Sequence, residues 1–81
     1  MSSGTDRAEL RQLVADVLDV KPEVVTDEAR FVEDLSVDSL IALELAVTLE
    51  RRYGVRIDED EIVKLRRFAD VYELLAAKVA A

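Results

Sequence analysis

Three stretches of this chain repeat apolar residues at helical spacing, and none is long enough to bury its stripe on its own. Leu10, Leu13, Val14, Val17 and Leu18 follow the i, i+3, i+4, i+7, i+8 rule. Phe68, Val71, Tyr72, Leu75 and Val79 form a second such face. Between them, residues from Leu40 to Leu49 are so rich in leucine, isoleucine, valine and alanine that several faces qualify. Short amphipathic helices are stable only when they bury one another's stripes, so the chain has to be a helical bundle.

Local signals set the boundaries. Asp6 and Glu9 stand three apart, like a capping box, and start a helix expected to reach residue 19 or 20, where Pro22 ends it. Asp38 is a good N-cap for the second helix, which runs to about Tyr53 with Gly54 as its C′ residue. Leu43, Ala46, Val47 and Leu49 are its expected core stripe. Leu40, Ile41 and Leu45 widen the apolar sector beyond one small core and are candidates to face a partner. Asp58 starts a short third helix, with Ile62 and Leu65 turned inward, and the last helix covers about 68–79. Residues 21–37 form a long connection that is expected to pack across the bundle, with a helical turn near 27–34. The expected architecture is all-α: a small four-helix bundle, three helices longer and one short, with a long loop between the first and second. Residues 1–5 are expected to be a flexible N-terminus and 6–81 the single domain.

The residue inventory excludes whole classes of chemistry. There is no histidine and no cysteine. Ser-His-Asp triads, Cys-His dyads, zinc sites and disulfides are therefore absent. No apolar run can span a bilayer, and the start of the chain has no basic, apolar signal pattern. A cytoplasmic monomer without membrane contact is expected. The net charge of −7, from 18 acidic and 11 basic side chains, argues against nucleic-acid binding and favours basic protein partners. The charge is also uneven. Residues 16–50 hold ten acids against two bases, whereas 51–67 hold six bases against four acids.

Inside the acidic half lies Asp38-Ser39-Leu40. Taken alone, the triplet has an ordinary explanation, an Asp cap followed by a serine. An anion carried on Ser39 would meet the free amides of a helix N-terminus, opposed by the like charges of Asp34 and Asp38. The run Asp58-Glu59-Asp60-Glu61 reads more simply as an acidic first helical turn than as a cation site. An EF-hand starting at Asp34 fails, because Ser39 stands where glycine is needed and Leu45 where a bidentate glutamate is needed.

Taken together, Phe31, Asp34-Leu35, Val37-Asp38-Ser39-Leu40, Leu43-Glu44-Leu45, Leu49-Glu50, Tyr53-Gly54-Val55, Ile57 to Glu59, Leu65, Phe68 and Asp70 resemble the acyl carrier protein family from about residue 7 to 79. The resemblance implies a non-enzymatic carrier. Ser39 would receive 4′-phosphopantetheine from coenzyme A through a magnesium-dependent phosphopantetheinyl transferase, importing the thiol this chain lacks. Asp38, Leu40, Ile41, Glu44 and Glu50 would form the docking surface for that transferase and for acyl-loading, condensing and modifying enzymes. The departures are Ser36 in place of a common glycine, Ile41 and Arg51 in place of common acids, and Arg67 in place of a common capping threonine. They lean toward a freestanding carrier of polyketide or related specialised synthesis over fatty-acid synthesis. The alternatives are a peptidyl or aminoacyl carrier and, from another class, a helical interaction domain whose Ser39 is only a cap or a phosphosite.

Overall fold

Asp6 starts the first helix by accepting hydrogen bonds from the Ala8 and Glu9 amides at 2.9 and 3.4 Å. A computed structural model describes residues 6–80; the segment 1–5 and Ala81 lie outside the described residues. Four helices follow in order, α1 (Arg7–Leu18), α2 (Ser39–Tyr53), α3 (Glu59–Ile62) and α4 (Phe68–Ala80). The expected all-α bundle, three longer helices and one short, is therefore what the chain forms.

Helix α1 packs against both α2 and α4. The core joins Leu10, Val14 and Ala15 of α1 with Leu45 and Leu49 of α2 and Phe68, Val71 and Leu75 of α4. Val25, Phe31 and Val37 of the long connection complete it. A fully buried aliphatic or aromatic side chain contributes about 1.5–3 kcal/mol, so these few positions dominate the stability of so small a domain.

Two details of α1 differ from expectation. Glu9 Oε2 pairs with Arg52 on α2 at 3.0 Å, and no reciprocal bond from the Asp6 amide to Glu9 is present among the described residues. The helix also stops before Pro22 can act. Asp19 turns left-handed at φ 58°, its amide donating to Asp16 and the Val20 amide donating to Ala15, a Schellman closure. Pro22 instead opens a 3-10 turn, Pro22–Val24.

The long connection thus holds this 3-10 turn and, within the expected 27–34, a single helical turn in which the Asp34 amide donates to the Arg30 carbonyl at 2.9 Å. The rest is stitched by its backbone. The Phe31 amide donates to the Arg66 carbonyl, and the Phe68 and Ala69 amides donate back to Ala29 and Asp27, at 2.9 to 3.1 Å. These bonds explain how α4 begins behind Arg67, a residue with no capping oxygen. The loop carbonyls satisfy the first free amides of α4, and Asp70 Oδ2 accepts from the Arg66 and Arg67 amides at 3.0 Å each. Arg67 also pairs with Glu28 at 2.8 Å, and Arg7 and Arg11 both hold Asp27.

Candidate functional site

The site forms where the long connection enters α2. Ser36 adopts φ 56°, a left-handed conformation that favours glycine, so the position flagged by the missing glycine keeps that backbone shape with a serine. Val37 then buries its side chain and donates its amide to the Phe31 carbonyl at 2.8 Å, fixing the approach to the helix.

Asp38 is the cap. Its backbone is extended, and Oδ1 accepts from the Ile41 amide at 2.9 Å. Ser39 is therefore the first helical residue. It is exposed, and among the described residues its hydroxyl makes no hydrogen bond. A serine in that position carries no capping bond, which Asp38 makes instead.

Local electrostatics are milder than the sequence suggests. Asp34 is held by Arg30, whose guanidinium and amide both donate to its carboxylate. Those hydrogen bonds push the Asp34 carboxyl below the usual range and raise the Arg30 guanidinium. The charge at 34 is thus balanced on the spot, leaving Asp38 as the carboxylate next to Ser39.

The other candidate residues divide. Leu40 is 65% exposed, and Glu44 is exposed and makes no ion pair among the described residues. Ile41 is half-buried and packs against the core. Glu50 is half-buried too, and its Oε2 accepts from the Ile57 amide at 2.8 Å, closing the connector between α2 and α3. That carboxylate is committed inside the protein.

The expected core stripe of α2 is partly reversed. Leu45, Ala46 and Leu49 are buried, whereas Leu43 and Val47 are 54% and 38% exposed. The reason is that α2 is apolar around most of its circumference, so periodicity alone does not choose a face. Leu43 and Val47, expected in the core, instead join Leu40, expected to face a partner, in an exposed aliphatic patch beside Ser39. Behind Ser39 opens a cleft of about 1080 Å³, lined by Phe31, Val37, Leu43, Ala46, Ile62 and Val71 among others. The acidic turn at 58–61 is spent on structure, since Glu61 accepts from the Asp58 amide and pairs with Lys78.

Comparison with known proteins accounts for this arrangement. The family described as "Phosphopantetheine attachment site" matches residues 8–75. The chain is 50% identical over 78 residues to polyketide-8 synthase acyl carrier protein 2 of Streptomyces avermitilis, covering 96% of this chain and 90% of that one. It is 46% identical over 72 residues to the acyl carrier protein of Thermosynechococcus vestitus, covering 89% of each. Its fold resembles the solved acyl carrier protein of Enterococcus faecalis with a TM-score of 0.73 at 24% identity, covering 91% of this chain and 99% of that one.

A helical carrier module, not a catalyst, is the class these features define. The chain belongs to the phosphopantetheine attachment family as an acyl carrier protein, whose prosthetic group is covalent 4′-phosphopantetheine. It works with biosynthetic enzymes. No helix among the described residues is long and apolar enough to cross a membrane.

Proposed function

We propose that Ser39 is the attachment point and that the chain carries polyketide-type acyl intermediates. One observation carries the assignment: Asp38 does the capping, so the Ser39 hydroxyl is exposed and free at the first turn of α2. Within the matched span the only other serine is Ser36, which holds the left-handed turn before the site.

In the loading step Ser39 Oγ attacks the pantetheine-side phosphorus of coenzyme A. The hydroxyl proton leaves, a phosphodiester forms, and adenosine 3′,5′-bisphosphate departs. In this reading a separate phosphopantetheinyl transferase supplies the base and the magnesium. When bound, the arm supplies a terminal thiol for thioesters. The free amides of the first turn of α2 favour the phosphodiester, and the Arg30–Asp34 pairing reduces the local repulsion.

Leu40, Leu43, Val47, Glu44 and Asp38 form the docking surface in this reading, while Ile41 and Glu50 serve the fold. The cleft behind Ser39 suits an apolar stretch of cargo. The 50%-identical relative named for a polyketide synthase supports a polyketide pathway, as does the altered charge of α2. The clients are then acyl-loading, condensing and modifying enzymes acting on a monomeric cytoplasmic carrier.

Incubation with coenzyme A, magnesium and a broad-specificity phosphopantetheinyl transferase tests this. Intact mass should rise by one phosphopantetheinyl group in the wild type and not in Ser39→Ala. A Ser39→Ala variant that gains the same mass would overturn the assignment.

A further inference from the structure

An α-helix advances 100° and 1.5 Å per residue. On α2 this places Leu40, Glu44, Val47 and Arg51 within about 60° of arc, with Leu43 about 40° further round. All five are exposed. They lie opposite Leu45 and Leu49, which are buried. The strip is therefore one continuous surface, aliphatic at Leu40, Leu43 and Val47, acidic at Glu44 in its middle and basic at its end at Arg51.

The two charges of the strip are largely screened from each other at physiological salt. Glu44 and Arg51 are seven residues apart, about 10 Å along the axis, which is on the order of the screening length in physiological salt. Neither makes an ion pair among the described residues. The adjacent Arg52 differs, because it is tied to Glu9 on α1 at 3.0 Å. Arg51 is thus a cation with no ion-pair partner among the described residues, standing in line with the aliphatic patch.

We propose that Arg51 is a specificity determinant of this face. The client it fits has an apolar docking cleft that is basic where it meets Glu44 and acidic where it meets Arg51. A client whose patch is basic throughout meets Arg51 as a like charge, and unfavourable contacts of that kind discriminate as effectively as favourable ones. The inference rests on α2 being the docking face, and the experiment separates the two ideas.

The probe is a condensing enzyme of bacterial fatty-acid synthesis chosen for a docking patch that is lysine- and arginine-rich from end to end. It is given the holo protein charged with the same acyl group on each variant. Arg51→Glu should raise kcat/KM by about five-fold at low salt, Arg51→Ala by about two-fold, and both gains should shrink at high salt. Glu44→Lys should lower it several-fold. Arg51 also complements the negative end of the helix dipole, so thermal melting of each variant confirms that the bundle is intact at the assay temperature.

If Glu44→Lys slows the reaction while Arg51→Glu leaves it unchanged or slower, the role given to Arg51 is wrong and the docking face stands. If neither variant has an effect, the docking face itself is wrong and the inference goes with it.

Discussion

Asp38 Oδ1 accepts the Ile41 amide at 2.9 Å, and that single bond separates the cap of α2 from the serine beside it. The helix cap and the proposed modification site are therefore different residues, and their substitutions should have different effects. Asp38→Ala should lower the unfolding free energy by about 1 kcal/mol. Ser39→Ala should change it by less than about 0.5 kcal/mol. Urea denaturation of the two variants checks this, and equal losses would show that Ser39 shares the capping.

Glu44 and Glu50 look alike in sequence but not in structure. Glu50→Ala leaves the Ile57 amide without its partner and should cost about 1–2 kcal/mol. Glu44→Lys should alter stability by less than about 0.5 kcal/mol yet slow transferase loading several-fold, with the effect fading as salt rises. A Glu50→Ala variant that keeps its stability but loads slowly would return Glu50 to the docking surface.

Ser36 holds a left-handed conformation at φ 56°. A side chain there costs about 1–2 kcal/mol, whereas glycine loses about 0.5–1 kcal/mol more conformational entropy on folding. The strain is the larger quantity, so Ser36→Gly should stabilise the fold by about 0.5–1 kcal/mol. Chemical denaturation measures the difference, and a destabilised variant would mean that the serine side chain contributes something the backbone geometry does not reveal.

Asp70 gives a pH prediction. Burial raises its carboxyl, but hydrogen bonds from the Arg67 and Arg66 amides, with the hydrogen bond and charge of the Arg67 guanidinium, together outweigh that, and the net shift is downward. A carboxyl lowered in the folded state contributes stability that is complete above its unfolded value of about 3.9 and is lost as pH falls through the folded value. The stability gap between wild type and Asp70→Asn should therefore be constant from about pH 7 to pH 5 and shrink below about pH 4. Taking the difference removes the change in overall charge that acid brings to both proteins. A gap that widens in acid would contradict the sign.

The helices were legible because stripes, caps and the Gly54 stop are side-chain signals. Asp6, Asp38 and Gly54 all act at the ends where the sequence put them. The orientation of α2 was not legible. Leu43 and Val47 are as apolar as Leu45, and only the positions of α1, α4 and Phe31 decide which of them is covered. The long connection resisted for another reason: its order comes from backbone bonds such as Phe31 to Arg66, which leave no periodic trace in residue types. For the candidate site, the Asp38 cap before Ser39 was legible from residue types, whereas the internal commitment of Glu50 needed coordinates.

The central claim concerns one oxygen atom, and the most direct measurement locates the group on it. Tryptic cleavage after Arg30 and Arg51 of the modified protein releases the peptide 31–51, which contains both Ser36 and Ser39. Fragmentation of that peptide by tandem mass spectrometry should place the phosphopantetheinyl group on Ser39. Fragments that place it on Ser36, or an unmodified 31–51 peptide from protein that has gained the mass, would contradict the account.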